Sequence, residues 1–215
     1  PAIIASILAK SGGRMLQIST DFVFDGKQGF PYSPDQPTSP LSVYGRSKAE
    51  GEVSVLKALG DNANILRTSW LYGPSGKNFL LTMLRLHSEK NEISVISDQV
   101  GSPTSTWSLA KACWKVIEHR TDLKTYPLSQ ILHWSDAGAA SWYDFAFAIG
   151  EIAEEIGLIK QKAQVLPIMT SEFFAIAKRP SYSILDCKLT REQLDLIPMN
   201  WRFALREVLL KISRT

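Results

Sequence analysis

Two neighbouring stretches decide the fold, MLQISTDFVFDG at residues 15–26 and SPLSVYGRSKAEGE at residues 39–52. The first opens with the short, mainly apolar run 15–18 and becomes polar at 19–21. This pattern is typical of a buried strand whose carboxyl end is exposed. The second stretch lies in a predicted helix over 42–59, so strand and helix together predict one unit of an α/β fold.

A loop rich in Gly, Pro, Ser and Asp joins these two elements at residues 24–40. It is longer than most connections in a compact domain, and such loops are usually functional or disordered. We therefore expect the chemistry of the protein to lie near this loop.

Strands and helices alternate along most of the remaining chain, which predicts a mostly parallel sheet with helices on both faces. Regularity is lower over the last sixty residues, where a short strand at 165–168 and helical segments near 189–196 and 202–212 are predicted. The other predicted helices are 1–11, 79–87, 105–119 and 141–156, and the other strands are 64–70, 92–96 and 130–134.

Composition excludes several classes of protein. The 215 residues are 45% hydrophobic and 21% charged, with a net charge of +3 and no basic run, so neither nucleic acid nor a membrane surface is the expected partner. No apolar stretch is long enough to span a membrane, and residue 1 does not open a signal pattern. The two cysteines, Cys113 and Cys187, lack a paired spacing. We expect reduced thiols in a cytoplasmic protein.

Tyr44 and Lys48 form the most informative pair, because residues four apart lie on the same helix face. An ammonium group beside a phenol favours the phenolate, which makes the pair a proton donor or acceptor near neutral pH. Thr20 ends the preceding strand, at the edge where open α/β sheets bind ligands. The three side chains are predicted to form a catalytic site.

This arrangement resembles the extended short-chain dehydrogenase/reductase superfamily and, within it, the dTDP-4-dehydrorhamnose reductase family. Six segments occur in the family's order and cover residues 1 to about 195. They are STDFVFDG (19–26), SPLSVYGRSKAEGE (39–52), ILRTSWLYG (65–73), ISDQVGSPTS (96–105), GAASWYDFAFAI (138–149) and RPSYSILDCKL (179–189).

The resemblance implies roles for individual residues. Thr20 would hydrogen-bond the substrate carbonyl, Tyr44 would donate the proton, and Lys48 would bind the nicotinamide ribose. Ser19, Thr20, Tyr44 and Lys48 would contact the cofactor, NADPH or NADH. The reaction would reduce the 4-keto group of dTDP-4-dehydro-6-deoxy-L-mannose to give dTDP-L-rhamnose.

Further positions match the substrate side of the family. Trp70 would pack against the sugar, Gln99 would contact substrate, and Arg179 could bind a phosphate with two hydrogen bonds. Phe22 stands where the family often has Tyr, which removes one hydroxyl from the substrate site.

The resemblance also implies a Gly-rich phosphate loop in a first βαβ unit, and this sequence contains no such motif. We therefore expect a Rossmann-like α/β fold that lacks its first βαβ portion and has a small substrate-side α/β region near the carboxyl end. Residues 1–125 would carry the catalytic groups and 126–215 would mainly bind substrate. The sequence leaves open whether the chain is a fragment or whether a partner supplies the cofactor half.

No metal is expected. The three histidines have no partner at zinc-ligand spacing, and Trp107 stands where some family members carry a Glu used in a metal-linked dimer. A monomer or a homodimer is predicted.

Two alternatives are open. The first is a non-catalytic relative that binds a sugar nucleotide or dinucleotide; Phe22 and the missing loop favour it, whereas the intact Thr20, Tyr44 and Lys48 argue against it. The second is a nucleotide-sugar epimerase or dehydratase, which shares Tyr-x-x-x-Lys but matches the segments at 19–26 and 138–149 less well.

Overall fold

The computed structural model describes residues 1–121, 128–174 and 177–214. Its helices are α1 (Ala2–Ser11), α2 (Val43–Leu59), α3 (Phe79–Glu89), α4 (Thr106–Thr121), α5 (Trp142–Glu155), α6 (Lys188–Leu194) and α7 (Trp201–Ile212). Its strands are β1 (Met15–Thr20), β2 (Ala63–Thr68), β3 (Leu71–Tyr72), β4 (Glu92–Ile96), β5 (Val100–Gly101), β6 (Thr104–Ser105), β7 (Ile131–His133), β8 (Ala140–Ser141) and β9 (Gln164–Ile168).

The chain forms two compact units, each built from three separate segments. The first comprises Pro1–Ser69, Leu109–Ser135 and Ala177–Ile197, and the second comprises Trp70–Ser108, Asp136–Ile176 and Pro198–Thr215. The expected boundary between 125 and 126 lies outside the described residues. The division of cofactor and substrate roles at that point stays a prediction.

The first unit is organised by a parallel sheet of β1, β2 and β7, with β2 in the middle. Neighbouring residues of a strand face opposite sides of the sheet. Ile65 packs with Val55 of α2 on one side, and Leu66 packs with Leu109 of α4 on the other. The predicted parallel sheet with helices on both faces is therefore confirmed in this unit.

The second unit is mainly helical, with short two-stranded pairings. β3 pairs with β6 and β4 with β9 in parallel, whereas β5 and β8 are antiparallel. The core is formed around α5, where Phe145 and Ile149 are fully buried. This helix begins at the predicted Ser141 cap, which forms a capping box with Asp144.

The predicted strand over 64–70 ends earlier than expected, at Thr68. Trp70 has a φ of 45°, a backbone conformation that cannot continue a strand. In the described ranges, no helix is both long and apolar enough to cross a membrane.

Candidate active site

The carboxyl end of β1 carries Thr20, the N-cap of a short 3-10 turn over Asp21–Val23. The Thr20 hydroxyl accepts a hydrogen bond from the Phe22 N–H at 3.2 Å and donates one to Asp21 Oδ1 at 3.0 Å. The side chain is buried. Thr20 is thus held in one orientation at the end of the strand, where the sequence predicts it to act.

Asp21 lies beside Thr20 and is also buried, with a hydrogen bond to Ser183. Burial raises the pKa of the Asp21 carboxyl from 3.8 to about 7. In its protonated form Asp21 can donate to the Thr20 hydroxyl oxygen, and the Thr20 hydroxyl hydrogen is then available to a ligand. Sequence reasoning did not single out Asp21.

Tyr44 stands in the first turn of α2. The N-cap of this helix is Ser42, whose hydroxyl accepts from the Gly45 N–H at 3.1 Å. Gly45 lies directly against the turn after β1. A methyl group on Gly45 would be only 2.2 Å from the Phe22 carbonyl oxygen. The Tyr44 ring meets the Phe22 ring edge to face, with centroids 6.0 Å apart. The Tyr44 side chain is 54% exposed and can therefore reach a ligand.

Lys48 follows one turn later on α2 and is half-buried. Its Nζ donates to the Ile18 carbonyl at 2.7 Å, two residues before Thr20. An ammonium group has three protons, so this bond leaves donors for a ligand. The structure brings Thr20, Tyr44 and Lys48 to the same end of β1.

The segment that contains Arg179 packs against the loop after β1, at Gly26. Gly26 has a φ of +72°, and a methyl group on it would lie 2.4 Å from Pro180 Cβ, so only glycine fits. The Ser181 hydroxyl donates to the Gly26 carbonyl at 2.9 Å. Arg179 itself is exposed. Two of the segments that carry the resemblance, 19–26 and 179–189, are thus in contact.

Trp70 and Gln99 belong to the second unit, where both contact Trp142. The Trp70 and Trp142 rings are stacked with centroids 3.5 Å apart and an interplanar angle of 2°. Gln99 is buried; its Oε1 accepts from Trp142 Nε1 at 3.2 Å and its Nε2 donates to Thr170 at 3.0 Å. The substrate roles of Trp70 and Gln99 stay predictions. The apolar spacing along α5 favours a buried helix face for Trp142 over a ligand contact, and it does not indicate the contacts of Trp142 with these two residues.

A buried ion pair lies beside Ser19, the residue before Thr20. Arg67 of β2 donates from Nε and Nη2 to the Glu52 carboxylate of α2, at 3.0 and 2.7 Å, and both residues are almost fully buried. The Ser19 hydroxyl donates to the same carboxylate. Two signals in the sequence could have revealed the pair: Glu52 lies four residues after Lys48, and Arg67 directly follows the apolar residues Ile65 and Leu66 of a predicted strand.

The residues present fit the nicotinamide ribose end of NADPH. Tyr44 is exposed and Lys48 has spare ammonium protons. The Thr68 hydroxyl, in register with Thr20, is buried with no hydrogen-bond partner among the described residues. These donors fit a ribose and a carboxamide, whereas the Gly-rich loop that would hold the pyrophosphate does not occur in this sequence.

Comparisons with known proteins identify the family. A family model described as the RmlD substrate binding domain matches residues 1–214. The spore coat polysaccharide biosynthesis protein SpsK of Bacillus subtilis is 41% identical over 202 residues, which are 94% of this chain and 66% of that protein. The dTDP-4-dehydrorhamnose reductase of Salmonella typhimurium is 34% identical over 215 residues, 99% of this chain and 70% of the relative.

A solved structure agrees with the family model and with the two relatives. The crystal structure of dTDP-4-dehydrorhamnose reductase from Bacillus anthracis in complex with NADP matches with a TM-score of 0.87 and 36% identity, over 98% of this chain and 70% of that one. The Rossmann-like fold and the family resemblance expected from the sequence are confirmed. The chain spans about two thirds of the length of these relatives. It belongs to the RmlD substrate binding domain family, the family of the dTDP-4-dehydrorhamnose reductases.

Proposed function

We propose that the protein reduces the 4-keto group of dTDP-4-dehydro-6-deoxy-L-mannose with NADPH, giving dTDP-L-rhamnose. The observation that supports this activity best is the convergence of Thr20, Tyr44 and Lys48 at the carboxyl end of β1. The names of the relatives and the NADP in the Bacillus anthracis structure support the same reaction and cofactor. The product would serve polysaccharide synthesis, the process named for the Bacillus subtilis relative.

When bound, NADPH supplies a hydride to the carbonyl carbon. Thr20 donates a hydrogen bond to the carbonyl oxygen as negative charge develops there. Fixed donors aimed at developing charge are usually the largest contribution to catalysis. Burial and the capping bond to the Phe22 N–H hold the Thr20 hydroxyl in place before substrate arrives.

Tyr44 gives its phenolic proton to the same oxygen, which completes the alcohol. The Lys48 ammonium would hold the nicotinamide ribose through its remaining N–H donors. Its bond to the Ile18 carbonyl fixes the direction of the side chain. Thr20 and the backbone of Ser19 would complete the cofactor contacts of this chain, because the buried Ser19 hydroxyl is already bonded to Glu52.

On the substrate side, Trp70 offers a ring face to the sugar, and Gln99 fixes its stacking partner Trp142. Arg179 is exposed beside the Gly26 loop and would bind the diphosphate of the substrate. We propose a cytoplasmic location, and the free thiols of Cys113 and Cys187 support a reducing compartment.

The test is NADPH consumption by the protein expressed from its own gene, with dTDP-4-dehydro-6-deoxy-L-mannose as substrate and product identified by mass and NMR. Loss of NADPH absorbance with formation of dTDP-L-rhamnose is expected. Binding of the sugar nucleotide without NADPH oxidation would instead indicate a non-catalytic relative. Conversion with retained and unchanged NAD would indicate an epimerase or a dehydratase.

A further inference from the structure

The buried carboxylate of Glu52 joins the strand that carries Thr20 to the helix that carries Tyr44 and Lys48. It accepts hydrogen bonds from Ser19, the residue before Thr20, and from Arg67 of the neighbouring strand. We propose that Glu52 is a positioning residue, which through Ser19 fixes the place of the Thr20 hydroxyl relative to Tyr44 and Lys48. The effect on turnover rests on the proposed function, whereas the effect on geometry does not.

Two hydrogen bonds link α2 to β1. Lys48 contacts the Ile18 carbonyl, and Glu52, one turn further along the helix, contacts the Ser19 hydroxyl. These bonds act together with the close approach of Gly45 to the Phe22 carbonyl and the packing of Val55 with Ile65. Two bonds one helical turn apart set both the rotation and the height of α2 on the strand, and thereby the place of Tyr44.

Arg67 holds the Glu52 carboxylate in one plane. Its Nε and Nη2 both donate to that carboxylate, the two-pronged geometry that only arginine offers. Its third nitrogen, Nη1, lies 3.3 Å from the Pro34 carbonyl and 3.3 Å from His133 Nε2. With the Ser19 bond, the ion pair therefore connects α2, the three strands β1, β2 and β7, and the proline-rich loop.

His133 completes the arrangement as a neutral side chain. Its Nδ1 lies 3.1 Å from the Tyr32 carbonyl, which can only accept, so Nδ1 carries the hydrogen and Nε2 is free to accept from Arg67. Burial and the neighbouring Arg67 lower the pKa of His133 from 6.5 to about 3. The donor and the acceptor of each hydrogen bond from Glu52 through Arg67 to His133 are thus fixed.

Stability alone does not account for such a pair. Burying two charges carries a large desolvation cost, and apolar residues of similar volume often serve stability as well or better. What an apolar pair cannot provide is an acceptor for the Ser19 hydroxyl next to Thr20. The location of Glu52 therefore favours a positioning role in the site.

The first test compares Ser19→Ala with Asn64→Ala in the protein expressed from its own gene. Each variant removes a polar side chain that is hydrogen-bonded in the same sheet. Asn64, whose amide donates to the Ser129 carbonyl at 2.8 Å, lies near the start of β2, whereas Ser19 lies near the end of β1 where Thr20 stands. We expect Ser19→Ala to lower kcat about 10- to 100-fold, the effect of a displaced catalytic group. The KM values should stay close to wild type, and Asn64→Ala should keep the wild-type kcat.

Ser19→Thr retains the hydroxyl and should restore most of the turnover. A rise in the KM for NADPH at unchanged kcat in Ser19→Ala would instead make Ser19 a cofactor contact and overturn the positioning role. So would equal kcat values in Ser19→Ala and Asn64→Ala.

A second measurement does not depend on activity. Backbone hydrogen exchange over residues 18–22 and 44–48 should become faster in Ser19→Ala and stay unchanged in Asn64→Ala. If the wild-type protein does not oxidise NADPH, the proposed function is wrong, while this exchange pattern still decides whether Glu52 fixes the geometry. Unchanged exchange in Ser19→Ala would refute the positioning role.

Glu52→Gln leaves Arg67 buried without its counter-charge and can fail to fold. The double variant Glu52→Leu with Arg67→Met removes both charges and keeps the volume, so it should fold. We expect it to lose turnover to the same degree as Ser19→Ala. Wild-type kcat in the folded double variant would overturn the proposal.

Discussion

Lys48 donates a hydrogen bond of 2.7 Å to the backbone carbonyl of Ile18. The contact ties the helix that carries Tyr44 to the strand that ends in Thr20. Residues thirty positions apart in the sequence are thereby set side by side, so activity should depend on this packing.

Tyr44→Phe should lower kcat by about 10²-fold or more, because general acid catalysis typically contributes 10²- to 10⁴-fold. The ring contact with Phe22 is kept, so the melting temperature should not change. Steady-state kinetics of NADPH oxidation measure the effect. Tyr143→Phe, on α5 of the other unit, is the control and should be fully active. A Tyr44→Phe variant with the wild-type rate would remove Tyr44 from the mechanism.

Gly45→Ala should destabilise the protein by about 1–3 kcal/mol, although alanine normally favours a helix over glycine by about 1 kcal/mol. The added methyl group would lie 2.2 Å from the Phe22 carbonyl oxygen, so α2 must shift and carry Tyr44 with it. Urea unfolding and kcat should both report the change. Gly29→Ala, with open space around the position, is the matched control. Stabilisation by Gly45→Ala would contradict the close approach.

Asp21→Asn should change how stability depends on pH. The folded protein holds the Asp21 proton up to about pH 7, whereas the unfolded chain loses it near pH 3.8, so the wild type loses stability as the pH rises between these values. The full effect is roughly 4 kcal/mol. Asn cannot titrate, so the variant should lack this loss and be the more stable protein at pH 8.

Urea unfolding from pH 4 to pH 8 measures the difference between Asp21→Asn and the wild type. Asp61→Asn, at an exposed position, should follow the wild-type curve. Parallel curves for Asp21→Asn and the wild type would show that the Asp21 pKa is not raised.

His133→Gln should remove a loss of stability that the wild type shows as the pH falls. The unfolded chain binds a proton at His133 below pH 6.5, but the folded protein does so only near pH 3, so the wild type loses stability as the pH falls through this range. Between pH 6.5 and pH 5 the loss is roughly 2 kcal/mol. Glutamine offers a donor and an acceptor without titrating and should abolish it.

The measurement is the free energy of unfolding at pH 7 and pH 5, with His119→Gln as the control. The same acid loss in His133→Gln and in the wild type would exclude a buried neutral histidine at this position.

Much of the first unit followed from sequence patterns. The apolar run before Ser19 predicted β1, and the predicted helix over 42–59 agrees with α2 within one residue. These elements are readable because periodicity and caps act over a few neighbouring residues. The same local rules placed Tyr44 and Lys48 on one helix face.

Long-range contacts were not readable in this way. No local pattern pairs Arg67 with Glu52, fifteen residues earlier, and only the folded structure brings the two together. Trp142 looked like part of a buried helix face, and its stacking on Trp70 depends on a backbone φ of 45° that no local pattern indicates. Asp21 became notable only through burial, which raises its pKa.

By itself, the sequence determined the alternation of elements, the family and the residue types of the site, since all of these are carried by local patterns and short motifs. Only the tertiary structure decided that Lys48 bonds to Ile18, that Ser19 and Arg67 meet on Glu52, and that His133 stays neutral. The physical reason is desolvation: a charged or polar group acquires its partner and its pKa from what surrounds it after folding, and those surroundings come from distant parts of the chain.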